Sequence, residues 1–145
     1  MRLIVRVRNT SPYPLPTYQT PGASGLDLYA NLPTPYTLQP GERLLVPTGL
    51  YLEIPLGWEA QIRPRSGLAL HHGITLLNAP GTIDADYRGE IQVLLINLGQ
   101  QPFLIEPGMR IAQMVFCPIA QAQWEVVPAL SPSERGEAGF GHTGT

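Results

Sequence analysis

A chain of 145 residues with a formal net charge of −2 is sized for one compact domain with a real core, and leaves no room for a second. Its nine basic residues form no patch interleaved with aromatics, and no apolar run approaches membrane-spanning length. This excludes an extended DNA or RNA surface and a membrane span, and keeps a small anionic ligand open. The single Cys117 rules out an intrachain disulfide, and neither a CxxC pair nor a His/Cys cluster offers zinc, so the reading is a soluble protein of the reducing cytoplasm.

Sixteen prolines and fifteen glycines are spread along the chain and cut it into short apolar runs, a punctuation that predicts many strands and few helices. Arg6 and Arg8 interrupt the basic start before a signal-peptide core can develop. Leu3, Val5 and Val7 against Arg6 and Arg8 predict a half-buried strand. A proline-rich loop follows and ends in Pro21-Gly22-Ala23-Ser24-Gly25-Leu26-Asp27-Leu28, where Asp27 sits between two leucines. An unpaired buried carboxylate is costly, so Asp27 needs a partner, either as a structural hydrogen bond or as support for a site.

Pro40-Gly41-Glu42 reads as a turn, and Leu44 to Leu52 as two short strands with Pro47 at an edge or bulge. Trp58, Ala60 and Ile62 alternate with Glu59, Gln61 and Arg63, a two-faced strand that delivers Pro64-Arg65-Ser66-Gly67-Leu68-Ala69 at its end. Ser66 to Gly73 predicts one short helix with Ser66 as N-cap and Gly73 as stop. Arg65, the Ser66 hydroxyl and the free amides would then converge on an anion; a plain cap beside a surface arginine is the alternative. His71 and His72 fall at the helix end, where they suit the dipole.

Polar chemistry is densest at Gly81-Thr82-Ile83-Asp84-Ala85-Asp86-Tyr87-Arg88-Gly89-Glu90-Ile91. The i, i+2 spacing of Asp84 and Asp86 projects both from one face of an extended segment, and Asp-Tyr-Arg-Gly has turn composition, so one carboxylate can face a ligand while the other fastens a hairpin turn. Ordinary hairpin residues are the competing account. Ile91 to Ile96 predicts a strand buried on both faces. Phe103 to Ile105 is another strand, Glu106-Pro107-Gly108 a turn, and Arg110 to Phe116 a last strand, in which Gln113 is the one uncharged hydrogen-bonding side chain. The pattern ends after Trp124 to Val127. Residues 131–145 cannot build a core and read either as a disordered tail or as a flexible arm beyond a 1–130 domain, with Phe140 among glycines and donors at Arg135, His142 and Thr143. Fifteen extended residues reach about 50 Å, enough to cross to a neighbouring subunit.

Five collinear stretches resemble the motifs of the trimeric deoxyuridine triphosphate nucleotidohydrolases, the dUTPases: Ala23 to Leu28, Pro64 to Ala69, Asn78 to Glu90, Pro107 to Gln113, and Arg135 to Gly144. The resemblance implies an all-β, distorted jelly-roll β-barrel with one short helix and a C-terminal arm, a homotrimer with sites shared between chains, and Mg²⁺-assisted conversion of dUTP to dUMP and pyrophosphate. It assigns Asp84 as general base for an in-line water. Arg65, Ser66, Gly67, Gln113 and, from the arm, Arg135, Gly141, His142 and Thr143 would hold the triphosphate, with Asp27 behind them. Mg²⁺ would be held mainly through substrate phosphates and waters, without a protein ligand cage. Asn78 and backbone at Gly81 would read the uracil edge, Tyr87 would lie against the deoxyribose, and Phe140 would stack on the base as a lid.

Ala138 departs from the family's Gly-Gly before the phenylalanine, at a cost of about 1 to 2 kcal/mol if that position needs positive φ. Among rivals, dCTP deaminases share the fold and trimer but carry a catalytic Glu where this chain has Leu94, and they favour Ser where this chain has Gly67. A non-catalytic β-trimer is the rival of another class, against which stand Asp84, Arg65, Ser66, Gln113, Arg135 and Phe140.

Overall fold

Ten strands and one helix form in residues 1–144, which the computed structural model describes. In chain order they are β1 (Arg6–Asn9), β2 (Leu26–Tyr29), β3 (Tyr36–Leu38), β4 (Arg43–Glu53), β5 (Trp58–Arg63), α1 (Ser66–His72), β6 (Ile74–Leu76), β7 (Gly81–Ile83), β8 (Glu90–Asn97), β9 (Phe103–Ile105) and β10 (Arg110–Pro118). One four-stranded sheet has the order β1-β4-β8-β6, the other β2-β10-β5-β7, and β3 pairs with β9 as a ribbon. The strand pairs are antiparallel throughout. This is the jelly-roll-like all-β fold expected, made from open sheets around one core.

Period-two alternation explains which residues enter that core. Ala60 and Ile62 of β5, Leu26 and Leu28 of β2, and Ile91, Val93 and Leu95 of β8 are buried while their neighbours along each strand are less so. Each such aliphatic side chain contributes about 1.5 to 3 kcal/mol when fully buried. Two polar residues are buried as well, Thr48 and, at 0% exposure, Asn97, and the polar atoms of Asn97 are satisfied. Its Nδ2 donates to the carbonyls of Leu38 (3.0 Å) and Gln101 (2.8 Å), and its Oδ1 accepts from Gly99 N–H (2.9 Å), which ties the end of β8 to the ribbon.

Several expectations need correction. Leu44 to Leu52 lies within one strand, β4, not two. Its register on β8 jumps from Pro47↔Gln92 to Leu50↔Ile91, so Thr48 and Gly49 form a bulge next to a residue that has no N–H to give the ladder. The first strand begins at Arg6, with Leu3 ahead of it, and Val7 is exposed. An apolar groove of about 580 Å³ between Leu3, Val5, Val7 and Trp58 leaves that inner side open. β8 is buried on one face only: Gln92 is exposed and Leu94 and Ile96 are half-buried. β7 and β8 belong to different sheets, so the turn between them is a corner of the fold and not a hairpin. After Pro118 the described residues form no further strand or helix, and Trp124 and Val126 are almost fully exposed.

Candidate functional site

Two cavities hold part of the polar set singled out in the sequence, among them Asp27, Arg65, Ser66, Gln113 and Asp84. The first opens where β2, β10 and β5 meet α1. On β10, Gln113 is paired with Asp27 on one side and Arg63 on the other, which sets these residues in one row across the sheet. Pro64 follows the end of β5, and its carbonyl accepts from Gln113 Nε2 at 3.0 Å. Arg65 then enters α1 as its extended N-cap residue, with no side-chain cap bond. Ser66 is therefore the first helical residue, not the cap, and its hydroxyl carries no capping bond; the helix is only seven residues long and stops as expected at Gly73, with φ of 68°.

Asp27 finds its partners here. Its carboxylate lies 3.3 Å from Arg65 Nε and 3.5 Å from Arg110 Nη1, and Arg65 Nη1 donates to the Arg110 carbonyl at 3.1 Å. One carboxylate thus holds two guanidinium groups, and of these Arg65 lines, with Asp27, Ser66, Gly67, Gln113, His71 and His72, a cavity of about 400 Å³. Two arginines against one carboxylate leave an excess of positive charge, the balance a phosphate chain requires. The histidines thus do more than end the helix: both face this cavity, and the His72 ring rests 5.0 Å from that of Phe103.

Sequence reasoning missed Arg110 and Gly25. Arg110 is three residues before Gln113, a spacing that puts the two on opposite faces of a regular strand. A register shift between Arg110 and Ala112 lets both reach Asp27's side, and nothing in the sequence signals it. Gly25 is confined by the same side chain: a Cβ there would meet Gln113 Oε1, with Gln113 Cδ at 3.2 Å.

The second cavity, about 240 Å³, lies at the far end of β7 and is lined by Leu45, Thr82, Asp84, Tyr87, Glu90 and Gln92. Asp84 is exposed and lines it. Asp86 does not line it and does not fasten the turn. Arg88 does that, donating through Nη1 to the carbonyls of Ala85 (2.7 Å) and Tyr87 (3.3 Å), while Tyr87 N–H closes on the Asp84 carbonyl at 3.1 Å. The Tyr87 hydroxyl donates to the Glu90 carbonyl at 3.0 Å, and its ring covers Gly89 so closely that no Cβ fits there. Asn78 is exposed ahead of the cis Ala79–Pro80 bond, and a Cβ added at buried Gly81 would stand 3.2 Å from Asn78 Nδ2.

One copy of the chain does not bring the two cavities together. β7 runs antiparallel to β5 with Gly81 opposite Ile62 and Ile83 opposite Ala60, so Asp84 falls beside Glu59. Arg65 lies beyond the other end of β5. Six residues of extended chain separate the two levels, roughly 20 Å. Arg135, Phe140, Gly141, His142 and Thr143 are exposed and line neither cavity; Arg135 Nε donates to the Ala138 carbonyl at 2.7 Å. Ala138 does not have positive φ, so the expected left-handed cost is absent from this conformation. Among the described residues no three His, Cys, Asp or Glu side chains form a group able to hold a metal.

The dUTPase family model matches residues 11–144. The chain belongs to the dUTPase family. It is 61% identical over 131 residues to the deoxyuridine 5'-triphosphate nucleotidohydrolase of Chlamydia pneumoniae, spanning 90% of each chain. To that of Rhizobium etli it is 55% identical over 143 residues, 97% of this chain and 92% of the relative. The Staphylococcus bacteriophage 80alpha dUTPase with dUPNHPP superposes with a TM-score of 0.85 at 26% identity, over 98% and 99% of the two chains. A dUTPase from phage phi11 of S. aureus, for which coordination of a structural Mg(II) ion is described, shares the fold at TM-score 0.78 and 20% identity, over 87% and 97%. The span matched to the dUTPase family contains every residue of the Asp27 and Asp84 cavities described above.

Proposed function

We propose that this dUTPase-family chain hydrolyses dUTP to dUMP and pyrophosphate in a crevice shared between copies of a homotrimer. The observation that carries the reading is the division of labour along β5. The cavity at one end offers Arg65, Ser66 and Gln113 for phosphate but no free carboxylate, since Asp27 is engaged with two arginines. The cavity at the other end offers an exposed carboxylate, Asp84, beside an aromatic ring, Tyr87, but no arginine or lysine to balance a phosphate chain. The cation at one end and the free carboxylate at the other, set apart along β5, support a crevice that a second copy completes.

In the joined crevice Asp84 takes a proton from a water as its oxygen bonds to the α-phosphorus, and the bond to the bridging oxygen breaks in line to release pyrophosphate. Arg65, Ser66, Gly67 and Gln113 bind the phosphate chain, and Asp27 fixes Arg65. Asn78 and the Gly81 backbone read the uracil edge. Tyr87 walls the sugar, so a ribose hydroxyl is refused. Residues 131–145 act as an arm whose Phe140 stacks on the base while Arg135, Gly141, His142 and Thr143 reach the phosphates.

One copy of the chain, taken alone, presents no cage for a magnesium ion among its described residues. Asp27 is taken by guanidinium groups, and no cluster of three ligating side chains exists among the described residues. Magnesium accordingly belongs to the substrate, carried on the triphosphate oxygens, and no step assigned to the chain runs through it. Association of copies is supported by apolar surface without cover in one protomer: Leu45, Leu77, Leu94 and Ile96 on the outer side of the β4–β8–β6 sheet, and Trp124 and Val126 beyond it. Among the described residues no helix is long and apolar enough to cross a membrane, and the free Cys117 suits a reducing cytoplasm.

Incubation of the purified protein with dUTP, dCTP, dTTP or UTP in magnesium tests the reading. Pyrophosphate should come from dUTP and far less from the others, and sedimentation should give three copies. No pyrophosphate from dUTP rejects the proposal, and ammonia from dCTP points to a deaminase instead.

A further inference from the structure

Glu90 lies between the bulge of β4 and the turn that carries Tyr87. The register shift between Pro47 and Leu50 takes the Gly49 amide out of the regular ladder, and Glu90 Oε2 accepts it at 3.0 Å in a part-buried setting. Gly49 is itself held fast. Its φ is +75°, its carbonyl accepts from Thr10 N–H at 2.8 Å, and a Cβ there would lie 2.8 Å from the Ser11 backbone nitrogen. The Glu90 side chain therefore hangs on an immobile peg, with Gln92 Nε2 at 3.4 Å from its other oxygen. The main chain of the same residue receives the Tyr87 hydroxyl at 3.0 Å, and the ring is pressed over Gly89. Where the Glu90 backbone sits thus decides where the ring can sit.

We infer that Glu90 is a positioning residue for the nucleoside: by linking the Gly49 amide to the carbonyl that holds Tyr87, it sets the wall that separates deoxyribose from ribose. The inference rests on the dUTP reading above and adds a residue to it. What the geometry asks of position 90 is an acceptor of the right length, not a negative charge.

The test compares kcat/KM for dUTP and for UTP, each with magnesium, in Glu90→Ala, Glu90→Asp and Glu90→Gln. Loss of one hydrogen bond sets the scale. In the alanine variant and in the aspartate variant, which keeps the charge but falls short of Gly49, the preference for dUTP over UTP should drop by about tenfold. Glutamine, whose amide oxygen reaches the same amide, should restore it. Should the alanine variant fail to fold, the aspartate variant carries the comparison. An equal loss on both nucleotides, or a glutamine variant no better than alanine, overturns the role of Glu90 while leaving the hydrolase reading intact. A wild-type protein that does not turn over dUTP at all removes that reading and this inference with it.

Discussion

Gly25→Ala separates the chemistry of the first cavity from the stability of the fold. The added methyl would collide with Gln113 Oε1 and come within 3.2 and 3.3 Å of Gln113 Cδ and Cβ, with no backbone atom among its nearest neighbours. Gly25 does not have positive φ, so alanine brings no left-handed strain. The relief is for the Gln113 side chain to swing away, losing its 3.0 Å bond to the Pro64 carbonyl. One neutral hydrogen bond is worth about 1 kcal/mol, which for a chain of this size lowers Tm by about 4 °C. If Gln113 binds phosphate as proposed, its displacement costs far more in rate: removing one such donor from an active site typically costs a factor of about 10² to 10³. We expect kcat/KM for dUTP to fall by about a hundredfold, the lower end of that range, measured by pyrophosphate release, with circular dichroism melts alongside. Gln113→Ala should fall at least as far, and the double variant no further than Gln113→Ala alone, because both changes remove the same group. A Gly25→Ala enzyme within about twofold of wild type, or additive losses in the double variant, would refute this account of why the position is glycine.

Asp84→Asn should abolish turnover while nucleotide still binds, as followed by equilibrium dialysis of dUTP; residual turnover near wild type would strip Asp84 of the base role. Deleting residues 131–145 should leave the assembly and its melt intact but lower kcat/KM by about 10² or more, on the scale of a lost closing element, and an unchanged rate would mean the arm is no lid. Tyr36 and Glu42 give a pH signature. The Tyr36 hydroxyl, then the Gln39 amide, hold the Glu42 carboxyl below its ordinary value of 4.5, and the bond to Glu42 holds the Tyr36 phenol above 10.0. A depressed carboxyl stabilises the fold above its unfolded value, and that contribution is lost as pH falls through the folded value. Tyr36→Phe should therefore lower the urea midpoint at neutral pH, with the difference from wild type closing in acid below 4.5; a gap that persists there would assign the effect to packing.

How much of this the sequence could tell depended on distance along the chain. The alternation of Trp58 to Arg63 gave β5 directly, because a strand with one buried face writes its period into the residues. The Gly73 stop of α1 was equally local. Ser66 failed as a cap because Arg65 already occupies the extended residue at the helix start, a matter of one dihedral pair that composition does not encode. The long-range facts were out of reach. Asp27 and Arg110 are 83 residues apart and meet only because a bulge turns Arg110 toward Asp27. The assignment of β7 and β8 to different sheets and the unbroken course of β4 through Pro47 depend on pairing partners chosen by the whole core. Leu94 and Ile96 differ in another way: apolar residues on both sides of β8 predict a core strand, whereas the outer side is half open in a single copy.

The length of β5 has a genetic corollary. If the crevice is divided as proposed, a lesion at Asp84 and a lesion at Arg65 spoil different contributions to it, and they need not spoil the same crevice. Two mutant alleles, each null by itself, would then rescue one another when expressed together, because mixed assemblies would contain some crevices that draw an intact carboxylate from one parent and an intact guanidinium from the other.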